Sequence, residues 1–231
     1  MMYARTLAIC ALGIVCSTQA VEGQSLSQYR NFELKSNLAS VSTLAGVQSS
    51  TARVIHQRPA VLQELEWRPS RWVSGSTTAS NDPVERTFFS FYNDQLFRIV
   101  VDYGNAQTAG MTGPDMVQAI TAVYGAALPR TSRPTGVPSR IDVESGSAIS
   151  RWGDSEHAIV LYQTTSYNSS YRLVVTDTRL DDLARKAAAQ AVQLDDQEAP
   201  AREIARQKKE REDGRAAAEK ARATNKEVFR P

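Results

Sequence analysis

The chain has 231 residues, of which 42% are apolar, and its 27 basic and 25 acidic side chains leave a net charge of +2. This composition is typical of a globular protein that can bury a packed core, and the length fits one or two domains. The near balance of charge argues against nucleic acid or an acidic membrane as the default partner.

Residues 1–20 have the order of a secretory signal peptide. Arg5 comes first, an apolar run of ten residues follows from Leu7 to Cys16, and small and polar residues lead to Ala20. Such a run is too short to cross a bilayer, which requires ~20 apolar residues. We therefore predict a signal peptide that is cleaved after Ala20.

Both cysteines of the chain, Cys10 and Cys16, lie in this segment. Cleavage after Ala20, or after Gly23 as the second choice, leaves a mature chain without cysteine, so a disulfide, a thiol nucleophile and a thiolate metal site are all excluded. Neither cysteine follows the small residues of a lipoprotein cleavage site, and no later segment resembles a membrane span. The prediction is an exported protein, periplasmic or extracellular.

An α+β body is predicted over residues 29–178, with short helices packed on an antiparallel sheet. Its first helix has Ser36 or Asn37 as the N-cap and Gly46 just past its end. The predicted elements of this half are a helix at 37–45 with Leu38, Val41, Leu44 and Ala45 on one face, strands at 52–57 and 61–68, and a long loop at 69–83.

A β-hairpin is the strongest local signal in the chain. Two aromatic and β-branched runs, at 84–92 and 95–102, flank the dipeptide Asn93-Asp94. Asn and Asp tolerate positive φ, which a two-residue hairpin turn requires. We therefore predict two paired strands that enclose this turn.

The second half begins with a helix whose N-cap is Thr112. Pro114 and Asp115 follow in its first turn, and Gly125 ends it. The side chains predicted to pack inward from this helix are Met116, Ile120, Val123 and Tyr124. Three further strands are predicted at 147–152, 157–164 and 171–177.

The two halves, 29–104 and 112–178, share the order of a short helix closed by glycine and then a group of strands, which suggests a duplicated α-β-β-β unit. With Leu38–Gly46 and Met116–Gly125 before their strands, the chain resembles the exported bacterial modules of the β-lactamase-inhibitor-protein and outer-membrane assembly lipoprotein (SmpA/OmlA) types. The resemblance implies helices on an antiparallel sheet. The lipidated cysteine of the assembly type has no counterpart here.

The C-terminal part is richer in charge. Residues 179–199 have apolar side chains at helical spacing, which predicts an amphipathic helix docked on the body. Pro200 is expected to interrupt this helix, because it lacks the N–H of the helical ladder. Residues 200–231 contain few large apolar side chains, and Gly214 disfavours a helix by ~1 kcal/mol. We therefore predict a charged tail that is partly helical or disordered.

Catalytic motifs are absent from the sequence. The two histidines, His56 and His157, are isolated, and the serine-hydrolase, zinc-protease and phosphate-loop patterns do not occur. We predict no catalytic residue, no metal and no cofactor. Glu64 and Glu66 lie on one strand face, where a carboxylate pair for acid–base chemistry competes with the simpler interpretation of a solvated strand edge. His157 follows Asp154 and Glu156 and is a candidate pH-responsive group.

Candidate partner-binding residues are Trp67, Arg68, Arg71 and Trp72, beside the long loop. Tryptophan and arginine are enriched at interface anchors, and loops on a rigid sheet often carry binding. The alternative is that both tryptophans close one end of the core.

The functional hypothesis is a non-catalytic exported module that binds a protein or an envelope component. Two alternatives stay open: a small carboxylate-dependent hydrolase or lyase of the envelope, and a purely structural periplasmic protein. Neither a nucleic acid partner nor a transmembrane span is expected.

Overall fold

The structure is a computed structural model that describes residues 24–70, 82–129, 146–164, 169–228 and 230. Its elements in chain order are β1 (Gln28–Tyr29), β2 (Phe32–Glu33), α1 (Leu38–Ala45), a 3-10 turn (Ser49–Thr51), β3 (Arg53–His56), β4 (Leu62–Trp67), β5 (Val84–Tyr92), β6 (Gln95–Gly104), α2 (Gly113–Tyr124), β7 (Ser147–Gly153), β8 (His157–Gln163), β9 (Ser169–Asp177) and α3 (Thr178–Val228). The predicted signal peptide lies outside the described residues.

Seven strands form one antiparallel sheet in the order β3-β4-β5-β6-β9-β8-β7, and β1 and β2 form a separate pair. The α+β class is thereby confirmed. The predicted hairpin is β5–β6, whose turn residues Asn93 and Asp94 have φ of 45° and 65°. The last strands of the two halves, β6 and β9, pair at the centre of the sheet, with Arg98 opposite Thr176. The short pair β1–β2 was not predicted.

Both short helices form where the sequence predicts them, and local caps explain their bounds. Asn37 accepts a hydrogen bond from the backbone N–H of Ser40, and Gly46 ends α1 in the left-handed region. At the start of α2, the side chains of Thr112 and Asp115 each bond the backbone of the other residue, which forms a capping box.

Both helices pack on the same side of the sheet, here called the core face. Its fully buried side chains are Leu65, Phe89, Phe91, Ile99, Val101, Ile159, Leu161, Leu173 and Val175. Val41 of α1 and Met116 and Ile120 of α2 complete this core. Leu44 and Val123, predicted to face inward, are 55% and 39% exposed, because each short helix contacts the sheet through a narrow stripe.

Helix α3 lies against the opposite side of the sheet, here called the cleft face. Leu180 and Ala184 pack against Leu62 and Phe97. Arg58, in the β3–β4 connection, forms an ion pair with Glu198 that fastens the helix near the sheet edge. All residues from 199 to 228 are exposed, so about 45 Å of helix extends beyond the body at ~1.5 Å per residue.

The predicted interruption at Pro200 does not occur, because α3 continues through it to Val228. Proline removes its own N–H from the ladder and crowds the carbonyl four residues earlier, so its effect is local to one turn. Arg202 lies beyond Pro200 and is 2.9 Å from both Asp195 and Glu198, so ion pairs connect the two sides. Among the helices described, none is long and apolar enough to cross a membrane.

Candidate functional site, an arginine-lined cleft

The cleft face carries three rows of side chains that run across the strands. Strand register fixes the rows, because alternate residues of antiparallel strands face the same side and pair with their neighbours. The helix-side row, nearest α3, contains Glu64, Ser90, Arg98 and Thr176; the apolar row contains Phe88, Val100, Val174 and Val160; the far row contains Arg86, Asp102, Arg172 and Tyr162.

Asp102 is the centre of the far row and is 0% exposed. Its carboxylate accepts hydrogen bonds from Nε of Arg86 at 2.7 Å and from Nε and Nη2 of Arg172 at 2.6 and 3.0 Å. Burial of a carboxylate is tolerated only when such partners offset its desolvation. Two guanidinium groups on one carboxylate leave the far row with one net positive charge.

A second cluster joins the helix-side row to α3. Asp181, in the first turn of α3, accepts from Arg98 of β6 and pairs with Arg185 of α3 itself. Arg185 also lies 3.2 Å from the exposed Asp182, which does not line the cleft. With Asp182 counted, this cluster has two guanidinium groups for two carboxylates.

Arg98 has a feature that sets it apart within this cluster. Its side chain is only 9% exposed, and its Nε–H has no hydrogen-bond acceptor among the described residues. A buried donor without an acceptor costs on the order of 1–3 kcal/mol. The side chain borders the cleft, but the Nε atom itself is enclosed by protein.

The cleft between α3 and the sheet has a volume of about 710 Å³. Sites for small ligands span ~300–1,000 Å³. Its apolar floor contains Leu62, Phe88 and Val100, and Ala184 and Ala188 of α3 form one wall. Both charged clusters and the sheet-edge residues Arg53 and Ile55 complete the lining. The chemistry offered is cationic above an apolar floor.

The carboxylates described near this cleft are each engaged by an arginine. Besides Asp102 and Asp181, Glu64 lies 3.4 Å from Arg53, and Glu66 lies 2.8 Å from Arg68. The pair Glu64 and Glu66, considered above for acid–base chemistry, is thus held in two separate ion pairs on the cleft face. This arrangement favours anion binding over proton transfer.

A second, less polar cavity of about 390 Å³ lies between α2 and the β1–β2 turn. Tyr29, Tyr103 and Tyr124 line it, and burial raises the pKa of each phenol. Arg30 binds Asp82 at its margin with two bonds of 2.7 and 2.8 Å, and this guanidinium holds the pKa of the Asp82 carboxyl below its usual range. The opposite charges of Arg30 and Asp82 at the margin of this cavity therefore neutralise each other.

Only part of the predicted Trp–Arg cluster is described. Trp67 is half-buried on the core face, with its ring 5.5 Å from Phe32 and 6.5 Å from Phe89. Arg68 is exposed and pairs with Glu66 on the opposite face. The other two predicted residues, Arg71 and Trp72, lie outside the described residues. Trp67 therefore packs as a core residue, and a partner-binding role for the set stays a prediction.

His157 lies at the β7–β8 turn with Nδ1 3.4 Å from Oδ2 of Asp154. Burial acts to raise the pKa of the Asp154 carboxyl, but the backbone N–H groups of His157 and Glu156 donate to it and hold the pKa below its usual value. The pH-responsive role of His157 stays a prediction. In the described ranges, no group of three or more ligating side chains is placed to hold a metal.

Sequence reasoning missed the residues that form the cleft. The available signal was the spacing of charge along one strand. Arg98 and Asp102 are four residues apart in an otherwise apolar run, so they lie on the same face, with Val100 between them. Charged side chains inside a central strand require partners on the adjacent strands. Arg86 and Arg172 lie opposite Asp102 in the register and supply them.

Comparison of the chain with protein-family models, curated proteins and solved structures finds no match to any of them. The resemblance to the exported helix-and-sheet modules therefore stays a prediction.

Proposed function

We propose that this protein is an exported, non-catalytic binding module that holds an acidic segment of a protein partner in the arginine-lined cleft. One observation carries the proposal: in the far row of the cleft, the guanidinium groups of Arg86 and Arg172 share the single buried carboxylate of Asp102, and the Arg86 side chain is 32% exposed at the cleft. The forked guanidinium group matches the geometry of a carboxylate, and arginine is the cation most enriched at interface centres.

The apolar surroundings favour a polypeptide over a small inorganic anion. Phe88, Val100 and Leu62 form a floor that a bare anion would leave uncovered. At the open sheet edge, Val54 and Ile55 of β3 are also exposed. A polypeptide brings carboxylates and apolar side chains together, so it complements both parts of this surface.

Export is supported by the order of charges and apolar residues in 1–20. The intact mass of the protein recovered from the periplasm or the medium tests it. We expect the mass of a chain that begins at Val21, or at Gln24 for the second cleavage site. A full-length mass in the cytosolic fraction would contradict export.

A second candidate, a structural spacer, is supported by the projecting part of α3. In that case an interaction would depend on residues 199–228 and not on the cleft. The matched variants Arg185→Gln, in the cleft, and Arg206→Gln, in the projecting helix, separate the two candidates, because each removes one guanidinium group from the same helix.

The binding test uses poly-L-glutamate as the acidic polypeptide and isothermal titration calorimetry at ~0.1 M salt, where surface charges are partly screened. We expect binding by the native protein and by Arg206→Gln, and a loss of at least about tenfold in affinity for Arg185→Gln and Arg86→Gln. Equal affinity for all four proteins would exclude the cleft, and loss with Arg206→Gln alone would favour the spacer.

A further inference from the structure

The projecting part of α3, residues 199–228, separates its charges around the helix axis. With ~3.6 residues per turn, each residue is rotated by about 100° from the one before it. Positions 208, 211, 215, 222 and 226 therefore lie within about 60° of one another, and all of them are basic. They are called the basic stripe here: Lys208, Arg211, Arg215, Arg222 and Lys226.

No acidic residue of the projecting helix falls within the basic stripe. Glu212 and Glu219 border one flank of the stripe, about 20 to 40° outside it, and the other acidic residues are rotated away from it by at least about 80°. The net charge of +2 for the whole chain averages over this separation. One side of the helix is thus cationic although the protein is nearly neutral.

The charges of the basic stripe are largely uncompensated. Four of its five side chains have no ion pair among the described residues, and the exception, Lys208, lies 3.9 Å from Glu212. Arg211 donates Nε to the backbone oxygen of Gln207 at 3.3 Å, which leaves its terminal amino groups for a partner. Off the stripe, by contrast, Arg206 pairs with two glutamates of its own helix at 2.8 Å.

The shape of the basic stripe limits the kind of partner. All residues from 199 to 228 are exposed, and the stripe extends about 27 Å along the helix at ~1.5 Å per residue. The apolar residues of this helix that face the same direction are Ile204 and Ala218. They are too few for a coiled-coil seam or for insertion into a bilayer. A partner must therefore be recognised by charge, along one side of a rod.

We propose that the basic stripe docks the projecting helix on a membrane surface that carries anionic phospholipid headgroups. The phosphates of such a surface lie close to one plane, so a single row of cations can meet them along its whole length. Duplex DNA fits less well, because a helix in the major groove has phosphates on both flanks and Glu212 and Glu219 occupy one flank of the stripe. This docking goes beyond the proposed function of the cleft and is independent of it.

The test is co-sedimentation of the native protein with phospholipid vesicles at ~0.1 M salt. Phosphatidylcholine vesicles with about 30% phosphatidylglycerol are compared with vesicles of phosphatidylcholine alone. The neutral vesicles measure any contribution of the apolar run at 7–16, which both compositions would bind. We expect at least about tenfold tighter binding to the anionic vesicles, and loss of this preference at ~1 M salt, where the Debye length falls to ~3 Å.

Two matched double variants distinguish the basic stripe from net charge. Arg215→Gln with Arg222→Gln removes two charges from the stripe, and Lys209→Gln with Lys220→Gln removes two charges at least about 100° away from it. All four side chains are exposed, and glutamine favours a helix about as well as lysine or arginine, so both variants should fold.

Each basic side chain held near an anionic surface strengthens binding about fivefold. We therefore expect the stripe variant to bind the anionic vesicles at least about tenfold more weakly than the native protein. The control variant should lose less than about threefold, because its charges face away from the surface.

Four outcomes would overturn the proposal. Equal loss in both variants would assign the attraction to net charge, and equal binding of the native protein to both vesicle types would leave the stripe as a solvated helix face. Loss of vesicle binding in Arg86→Gln would place the membrane contact at the cleft. Stripe-dependent binding of duplex DNA at the same phosphate concentration, without vesicle binding, would assign the stripe to nucleic acid.

Discussion

The two faces of the seven-stranded sheet are made by alternate residues of the same strands, yet they differ in chemistry. On the core face, Phe89, Ile99 and Leu173 are covered by α1 and α2 and form a dry interior. On the cleft face, Arg98 and Asp102, which lie on the same strand as Ile99, carry charge. Helix α3 covers only part of this face. Alternation along a strand therefore specifies an apolar core on one face and a charged cleft on the other.

The difference between the faces lies in what balances burial. Apolar side chains gain roughly 25 cal/mol for each Å² removed from water, so the core face stabilises the fold without further partners. A buried ion cluster contributes little net stability, and an apolar replacement of the whole cluster is often neutral or better. Stability alone therefore does not explain the charged clusters of the cleft face.

The largest expected change in stability comes from breaking the ion cluster around Asp102 on the cleft face. Asp102→Asn removes the charge that Arg86 and Arg172 share, and it leaves two guanidinium groups side by side without their counter-ion. We expect a loss of about 3 kcal/mol in the free energy of unfolding, because breaking a buried pair costs ~3–5 kcal/mol. Urea unfolding measures it.

Glu66→Gln is the matched control for this change, since Glu66 lies on the same face but is exposed. It should alter the stability by less than about 0.5 kcal/mol. If Asp102→Asn were equally mild, Asp102 would not be the buried centre of its cluster, and the charge ratio assigned to the far row would be wrong.

A smaller effect is expected at the margin of the core face. Trp67→Ala removes a half-buried ring that contacts Phe32 and Phe89. Full burial of such a ring is worth ~3–5 kcal/mol, so we expect a loss of about 2 kcal/mol in the free energy of unfolding. Arg68→Ala, one residue along the chain, should change it by less than about 0.5 kcal/mol.

This pair of variants also tests the interface hypothesis for the Trp–Arg cluster. Loss of stability in Trp67→Ala would assign the ring to the core. An unchanged midpoint in thermal unfolding would instead place Trp67 outside the core face and return it to the candidates for partner contact.

An ion pair at the margin of the second cavity gives a pH-dependent prediction. Arg30 lowers the pKa of Asp82 in the folded state, so folding favours the ionised carboxylate. The stabilisation is fully present above the ordinary aspartate pKa of ~3.9 and is lost as the pH falls through the lower folded value. We expect a decline in stability of up to about 1 kcal/mol from this pair below pH ~4.

Asp82→Asn should reduce that acid slope, while it leaves the stability near pH 3 closer to that of the native protein. The measurement is urea unfolding at a series of pH values between about 2 and 6. Identical slopes for the native protein and the variant would mean that other carboxylates account for the whole pH dependence.

Local sequence signals predicted most elements of this fold. The caps Asn37, Gly46 and Thr112 and the turn Asn93-Asp94 act within a few residues, so their effect can be seen without the rest of the chain. The course of α3 beyond Pro200 was missed, because the prediction treated the proline as the end of the helix, whereas α3 continues through it to Val228.

The candidate site could not be predicted from the sequence, for a different reason. Arg86 and Arg172 lie 16 and 70 residues from Asp102 in sequence, and the three residues meet only through the register of β5, β6 and β9. Asp181 reaches Arg98 only because α3 folds back over the sheet. The spacing of charges within one strand hinted at partners, but it does not specify which strand lies beside it.

The smallest expected effect belongs to the part of α3 that contacts neither face. Gly214 lies in this exposed helix, and a Cβ added there would meet nothing within 4 Å. Gly214→Ala should therefore favour the helix by up to about 1 kcal/mol. Circular dichroism should show more helix at intermediate temperatures, whereas unfolding of the body, followed by tryptophan fluorescence, should keep its midpoint. A parallel rise in that midpoint would show that residues 199–228 are coupled to the sheet, and the distinction between a helix segment docked on the cleft face and one independent of it would then fail.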